Sequence, residues 1–277
     1  MNILLYPNSN KDKDLKFTKQ LIKELKKYNA NCFIDECCGE YIDLPVIDNI
    51  NIKNIDLIIT IGGDGTFLQG ARYAYQNDIP ITGFNLGHMG FLAELEVDEL
   101  NLIDSIINRK FIVDERMLLN IKIYKDNELI FNEDCINDVV IRQGYLVRIL
   151  DFELLHNGKF FSRYRADGVL ICTPIGSTAY SLSAGGPIID PMVRCMSMVP
   201  ICAHTMKSRP VIFSEDSELT IKIKNMSESD AYAYADGSRF VKIDNKCRIS
   251  VSKSERKLKI IRLKDRSFYE IFDLKMK

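Results

Sequence analysis

The sequence lacks an excess of charge of either sign. Its 37 lysines and arginines stand against 38 aspartates and glutamates, a net charge of −1. That balance argues against a general nucleic-acid binder, whose surface would be basic, and leaves room for a local basic site that takes a phosphorylated ligand. No run approaches the roughly 20 apolar residues of a membrane-spanning helix. The opening Met1-Asn2-Ile3-Leu4-Leu5-Tyr6-Pro7 has no basic stretch and only four apolar residues in a row. It reads as a first β-strand and not as a secretory leader. The eight cysteines form no C-x-x-C pair and no Cys/His run with zinc spacing. Several lie in apolar, strand-like segments, where Cys behaves as a small hydrophobe. The expectation is reduced thiols and a cytoplasmic protein. Two familiar nucleotide signatures are also missing. Without G-x-x-x-x-G-K-[ST] the chain is no P-loop NTPase, and without G-x-G-x-x-G in the first βα turn it does not hold a dinucleotide in the usual Rossmann manner.

What is present is a chain of 277 residues, 46% hydrophobic, enough for one large core or two modest ones. The first ~110 residues alternate strand and helix patterns. Ile3–Tyr6 is a strand, 12–28 an amphipathic helix, 31–34 a second strand and 56–61 a continuous apolar run suited to a parallel strand buried on both faces. A helix with Phe67, Leu68, Ala71, Ala74 and Tyr75 on one face follows. Ile79–Phe84 is a strand, and 98–109 a helix with Leu100, Ile103, Ile106 and Ile107 inward. This alternation predicts an α/β domain with a parallel sheet covered on both faces. The pattern changes near residue 115. Strand-like stretches dominate thereafter: 117–125, 128–132, a hairpin over 147–164 turning at His156-Asn157-Gly158, then 167–172, 210–213, 218–224, 231–235, 239–243 and 247–252. Gly176–Ser183 is the one helical exception. The expected organisation is an α/β domain over 1–114, a mostly β domain over 115–257, and a segment 258–277 that returns to the first domain.

Four stretches carry chemistry. The sharpest is Ile61-Gly62-Gly63-Asp64-Gly65-Thr66, between a buried strand and a helix. Its glycines permit positive φ and close backbone approach, and the N–H groups of the loop and helix N-terminus form an anion site. A carboxylate in such a loop repels phosphate unless it binds Mg²⁺ or takes a proton from an attacking hydroxyl; the plainer alternative is that Asp64 caps the helix. The second stretch, Thr173 through Pro187, is rich in small and hydroxyl residues. It suits a flat ligand with ribose or base edges, with Tyr180 as a stacking face, or else a helix N-terminus packed tightly on a neighbour. The third, Ile136-Asn137-Asp138-Val139, either grips vicinal ribose hydroxyls or is an ordinary turn pair. In the fourth, Arg163-Tyr164-Arg165-Ala166-Asp167-Gly168, Arg165 faces phosphate and Asp167 a polar ligand edge, or the segment is a solvated hairpin end.

Taken together these residues resemble the NAD kinase family. The match runs in order through GGDGT at 62–66, NLGHMGFL at 85–92, NDVVI at 137–141, ADG at 166–168, GSTAYSLSAGGPI at 176–188, PICAH…RP at 200–210 and DG at 236–237. GGDG alone is shared with lipid kinases and resembles phosphofructokinases; its pairing with GSTAYSLSAGG is far more specific. The resemblance implies a Rossmann-like or phosphofructokinase-like α/β N-terminal domain and a β-sandwich type C-terminal domain. It implies transfer of the γ-phosphoryl group of ATP, or of polyphosphate in some members, to the 2′-hydroxyl of the adenosine ribose of NAD, with Mg²⁺ or another divalent cation. Asp64 would accept the hydroxyl proton, and Gly62, Gly63, Gly65 and Thr66 would hold phosphates. NAD would touch Asp64, Gly65, Phe91, Asn137, Asp138, Arg148, Arg165, Asp167 and Asp236, and the segment Thr178, Ala179, Tyr180, Ser181, Leu182 and Ser183. In family members the neighbourhood of Asp167 reaches an adjacent subunit, which implies a homodimer or homotetramer. Two positions depart from the family pattern. Asp138 replaces the usual Glu, one methylene shorter, and Ala166 replaces a Gly, where positive φ would strain it. A lipid kinase sharing the GGDG loop and a non-catalytic NAD sensor are the competing readings. The hydroxyl-rich 176–188 stretch argues against the first and the intact acid of GGDGT against the second.

Overall fold

In the computed structural model the described residues are 1–48, 51–87, 90–144, 149–204, 208–224 and 231–275. They divide into two compact units, Met1–Arg116 with Arg256–Lys277, and Met117–Glu255. The unit boundaries fall inside the strands Ile112–Lys125 and Cys247–Arg262.

The first unit is built on a parallel sheet of β1 (Asn2–Pro7), β2 (Asn31–Ile34), β3 (Leu57–Gly62) and β4 (Ile81–Asn85), in the order β4-β3-β1-β2. β4 also pairs with β5 (Leu95–Glu96), and at Ile260↔Ile81 with the last strand of the chain. β3 is buried along its whole length, which is why its sequence is apolar but for Thr60, whose hydroxyl donates to the Thr82 carbonyl at 3.4 Å. One core joins Ile3, Leu5, Leu57, Ile59 and Ile61 of the sheet to Leu21, Ile22 and Leu25 of helix α1 (Lys16–Lys26) and to Ile103 and Ile106 of α3 (Ile103–Ile107). Each such side chain taken fully out of water contributes about 1.5–3 kcal/mol. Helix α2 (Asp64–Asn77) presses on β3 and β4 so closely that a side chain on Gly70 would lie 2.6 Å from Thr60 Cγ2.

Helix boundaries differ from the sequence reading for local reasons. The helix expected from residue 12 starts at Lys16, because the Asp12 carboxylate takes the N–H groups of Phe17 and Thr18 at 2.9 and 2.8 Å. The helix expected over 98–109 is a 3₁₀ turn, Leu100–Leu102, followed by only five α residues, with Ile103 and Ile106 fully buried and Leu100 and Ile107 partly so.

The second unit holds two antiparallel layers. One has the order β10-β9-β14-β17, from β9 (Leu150–His156), β10 (Lys159–Ala166), β14 (Leu219–Ile223) and β17 (Cys247–Arg262), with β6 (Ile112–Lys125) and β7 (Glu128–Cys135) paired beside β17. The other has the order β13-β12-β11-β8-β15-β16, from β8 (Asp138–Gln143), β11 (Gly168–Cys172), β12 (Cys195–Ile201), β13 (Val211–Ser214), β15 (Ala231–Ala235) and β16 (Arg239–Ile243). Alternate residues of both layers, among them Ile121, Phe152, Ile171, Met198, Ile221 and Ala233, form one core, the arrangement of a β-sandwich. β11 reads as all-apolar because its second face is buried too. Leu170 and Cys172 pack with Val140 and Val199 under Ala184 and Tyr234.

β12 was not foreseen, because Pro200 interrupts its apolar run. The proline is tolerated since β13 pairs only with Cys195–Met198, so its missing N–H lies beyond that ladder. Gly176–Ser183 is not one helix but a 3₁₀ turn, Ile175–Thr178, and one α turn, α4 (Tyr180–Ser183). All eight cysteines are free, with Cys37 and Cys202 exposed. Among the described residues no helix is long and apolar enough to cross a membrane.

Candidate active site

The candidate residues fall into two groups, one in each unit. In the first unit β3 ends at Gly62, Gly63 is the extended N-cap of α2, and Asp64 opens the helix. None of Gly62, Gly63 and Gly65 has positive φ; the glycines serve close approach instead. A side chain on Gly62 would collide with that of Thr66, and one on Gly63 would lie 2.5 Å from Lys11 Nζ, while Gly65 faces open space. Thr66 is buried, and its hydroxyl accepts Asn8 Nδ2 at 3.0 Å, so it braces the loop from within. The first-turn N–H groups of α2, beside the positive end of the helix dipole, leave an anion-binding face.

Asp64 does not cap the helix; no side chain fills that role at Gly63. Its carboxylate turns to the strand-following loop of β4. Oδ2 accepts the Phe91 N–H at 2.8 Å and Oδ1 the Leu92 N–H at 3.1 Å. Gly90 lies against the same carboxylate with no room for a Cβ. Two short backbone donors therefore hold the acid in place while its side chain keeps 32% of its surface exposed. The Phe91 ring stands 6.1 Å from that of Phe268. Helix α5 (Phe268–Lys275) brings Lys275 Nζ to 3.5 Å from Asp64 Oδ2 and 3.7 Å from the Phe91 ring centre.

In the second unit a cavity of about 390 Å³ is lined by Asn137, Asp138, Val140, Arg142, Ala179, Tyr180, Tyr234, Asp236 and Gly237. Three non-adjacent stretches thus converge. Asp236 does so by turning back into the left-handed region, φ 47°, where its carboxylate accepts the N–H groups of Ile136, Asn137 and Asp138 at 2.9, 2.7 and 3.3 Å and Arg239 Nη2 at 3.2 Å. Thr173 holds the same stretch from behind: its hydroxyl donates to the Ile136 carbonyl at 2.6 Å and its N–H to that of Asn137 at 2.9 Å. Gly176 packs on Asn137 where any Cβ would strike the backbone. Asp138 is 5% exposed, and burial, with the Asp236 charge beside it, pushes its carboxyl up to about 7. Burial also raises the Asp236 carboxyl, against the pull of its backbone donors and Arg239.

Of the residues singled out from sequence, Asn137, Asp138, Ala179, Tyr180 and Asp236 share this cavity, with the Tyr180 ring 39% exposed. Thr178 (its hydroxyl on the Ile175 carbonyl), Ser181, Leu182 and Ser183 belong to the adjoining turns but do not line it. Arg165 is exposed on β10 and Asp167 half-buried after it. Ala166 is an ordinary strand residue, so the departure from glycine costs no strain there. Arg148 lies outside the described residues. Lys11, Lys275, Arg142, Tyr234 and Gly237 were missed. Only Gly237, in the quoted Asp-Gly pair, carried a local signal.

Among the described residues no three His, Cys, Asp or Glu side chains converge as a metal cage. A hard cation such as Mg²⁺ keeps waters and borrows phosphate oxygens, so it needs no such cage; the partly exposed Asp64 is the carboxylate nearest the loop that could meet it.

Comparison with known proteins places both units. Residues 6–111 match the ATP-NAD kinase N-terminal domain and residues 136–263 the ATP-NAD kinase C-terminal domain. The NAD kinase of Ruminiclostridium cellulolyticum is 36% identical over 274 residues, covering 97% of this chain and 95% of the relative. That of Hydrogenovibrio crunogenus is 39% identical over 226 residues, 81% and 78% of the two chains. Among solved structures, the yeast NADH kinase complexed with NADH superposes with TM-score 0.89 at 25% identity, covering 99% of this chain and 86% of that one. The Archaeoglobus fulgidus NAD kinase in complex with ATP shares the fold at TM-score 0.77 and 22% identity, covering 99% and 98%. Neither the lipid-kinase nor the sensor reading gains support from these matches. With both domain families matched in order and relatives of this identity spanning nearly the whole chain, the protein belongs to the NAD kinase family.

Proposed function

We propose that the protein transfers the γ-phosphoryl group of ATP to the 2′-hydroxyl of the adenosine ribose of NAD, with Asp64 as the proton acceptor. The bond from the γ-phosphorus to the bridging oxygen of ADP breaks, a bond from ribose O2′ to phosphorus forms, and the hydroxyl proton passes to the Asp64 carboxylate. The observation that carries this reading is the carboxylate itself. It is accessible, oriented by the Phe91 and Leu92 N–H groups, and set at the anion-binding N-terminus of α2. Gly63, Gly65 and the first-turn N–H groups of α2 take phosphate oxygens. Asn137 and Asp138 receive ribose hydroxyls, and Ala179 and Tyr180 supply apolar and stacking walls.

A divalent cation held by the nucleotide's own phosphates would neutralise charge on the transferring group. Arg165 and Asp167, which stand apart from the cavity, fit contacts made in a homodimer or homotetramer. The experiment is turnover of the purified protein with ATP, Mg²⁺ and NAD, scored with an NADP-specific dehydrogenase. NADP from the wild type and almost none from Asp64→Asn is the expected result. Full activity of Asp64→Asn sinks the base assignment, and no NADP from the wild type sinks the function.

A further inference from the structure

The proposed chemistry leaves one cation at the site without a task. Lys275 ends helix α5, 211 residues along the chain from Asp64, and places its ammonium against both the Asp64 carboxylate and the Phe91 ring. The helix that carries it has its own anchors. Ser267 and Glu270 close a reciprocal capping box, Ser267 N–H to Glu270 Oε2 at 2.8 Å and Glu270 N–H to Ser267 Oγ at 3.2 Å, and Phe268 stacks toward Phe91. An ammonium has three N–H donors. The contact to Asp64 is long, and a ring face attracts the charge without satisfying the remaining donors as a carboxylate would. Asp64 is already oriented by two shorter backbone bonds.

Lys11 stands at the same loop, its Nζ in the space left by the missing side chain of Gly63. Two lysines and one aspartate at a helix N-terminus make a net positive site. Its chemistry is that of a polyanion receptor larger than Asp64 alone requires. We propose that Lys275 is a further phosphate-binding residue of the donor site, its ammonium contacting the transferring phosphoryl group from the end of the C-terminal helix. This rests on the assignment of the loop as the phosphoryl-transfer site. In the free protein Lys275 lies on Asp64; with donor bound its unused N–H groups go to phosphate oxygens, where they stabilise charge on the phosphoryl group in flight.

The test compares wild type with Lys275→Met and Lys275→Arg. In Lys275→Met, kcat/KM for ATP should fall roughly 10- to 100-fold, while the NAD Kd and the Tm stay within error of the wild type. Lys275→Arg should recover most of the loss. Unchanged kcat/KM for ATP overturns the proposal, and so does a matching loss of NAD affinity and Tm, which marks a structural role. A wild type that makes no NADP refutes the function instead. ATP binding by calorimetry without NAD then still decides on Lys275: about tenfold weaker binding by Lys275→Met supports it, and equal binding overturns it.

Discussion

Asp64 and Asp138 are the two acids on which the proposed reaction turns, and their surroundings differ in every respect. Asp64 has two backbone N–H donors and a lysine ammonium on its carboxylate and keeps a third of its side chain in solvent. Asp138 is almost wholly buried, with a second carboxylate beside it. The first environment orients the acid and leaves it accessible. The second resists ionisation up to about neutrality. The contrast fits the proposed division of labour, proton transfer at Asp64 and ribose recognition at Asp138.

The largest test of that contrast is Asp64→Asn. It keeps the shape of the side chain but removes the proton acceptor, and kcat should fall by about 10²–10⁴ with the NAD Kd little changed. Next is Gly90→Ala. The added methyl would occupy the place of the Asp64 carboxylate, and a displacement of ~1 Å at a reacting group costs roughly 10²-fold in rate. Steady-state kinetics alongside NAD titration should show kcat falling and NAD binding intact. A variant with wild-type kcat would mean that the orientation of Asp64 is immaterial.

The Asp138 side of the comparison is sharpened by pH. As pH rises through about 7, Asp138 becomes the anion that accepts ribose hydroxyls better, so NAD should bind several-fold more tightly at pH 8 than at pH 6. Burial and the neighbouring Asp236 carboxylate, itself bonded to Arg239, set the magnitude. Asp138→Asn should flatten the profile, and a profile unmoved by that change removes Asp138 from ribose binding. The smallest effect is on stability, and its sign is opposite to that of an ordinary ion-paired acid. The folded-state value lies above the unfolded one of 3.8. Ionisation therefore favours the unfolded chain, and stability from this group is lost as pH climbs from about 4 to about 7, by at most a few kcal/mol. Chemical denaturation at pH 8 should find Asp138→Asn as stable as the wild type or slightly more so.

Much of this was legible in the residues. The apolar run Leu57–Ile61, the glycines after it and the 3.6-residue spacing of Phe67, Ala71 and Ala74 announce a strand, loop and helix in succession, and alternation through Ala231–Ala235 announces a strand with one face inward. These signals are local: a backbone hydrogen bond four residues on, or a side chain two residues on, reports its state within one short window. Failures came where a local rule met a tertiary exception. Pro200 sits in a strand because its partner ladder stops at Met198. Residue 12 lies outside α1 because its carboxylate takes the donors of Phe17 and Thr18. Gly62 and Gly63 are needed for the bulk of Thr66 and Lys11 and not for φ.

By itself, then, the sequence determined most of the order of elements, the α/β and mostly β character of its two halves and the family, and it singled out Asp64 in the glycine-rich loop proposed to bind phosphate. Tertiary structure alone decided what each acid touches. Phe91 and Leu92 orient Asp64 from 27 and 28 residues away, Asp236 ties down 136–138 from about a hundred, and Lys275 arrives from 211. Such contacts follow from the way the sheets bring distant strand ends together, and no periodicity or spacing within a short window records them. The same topology sets burial, and burial separates Asp138 from Asp64 though the side chains are identical.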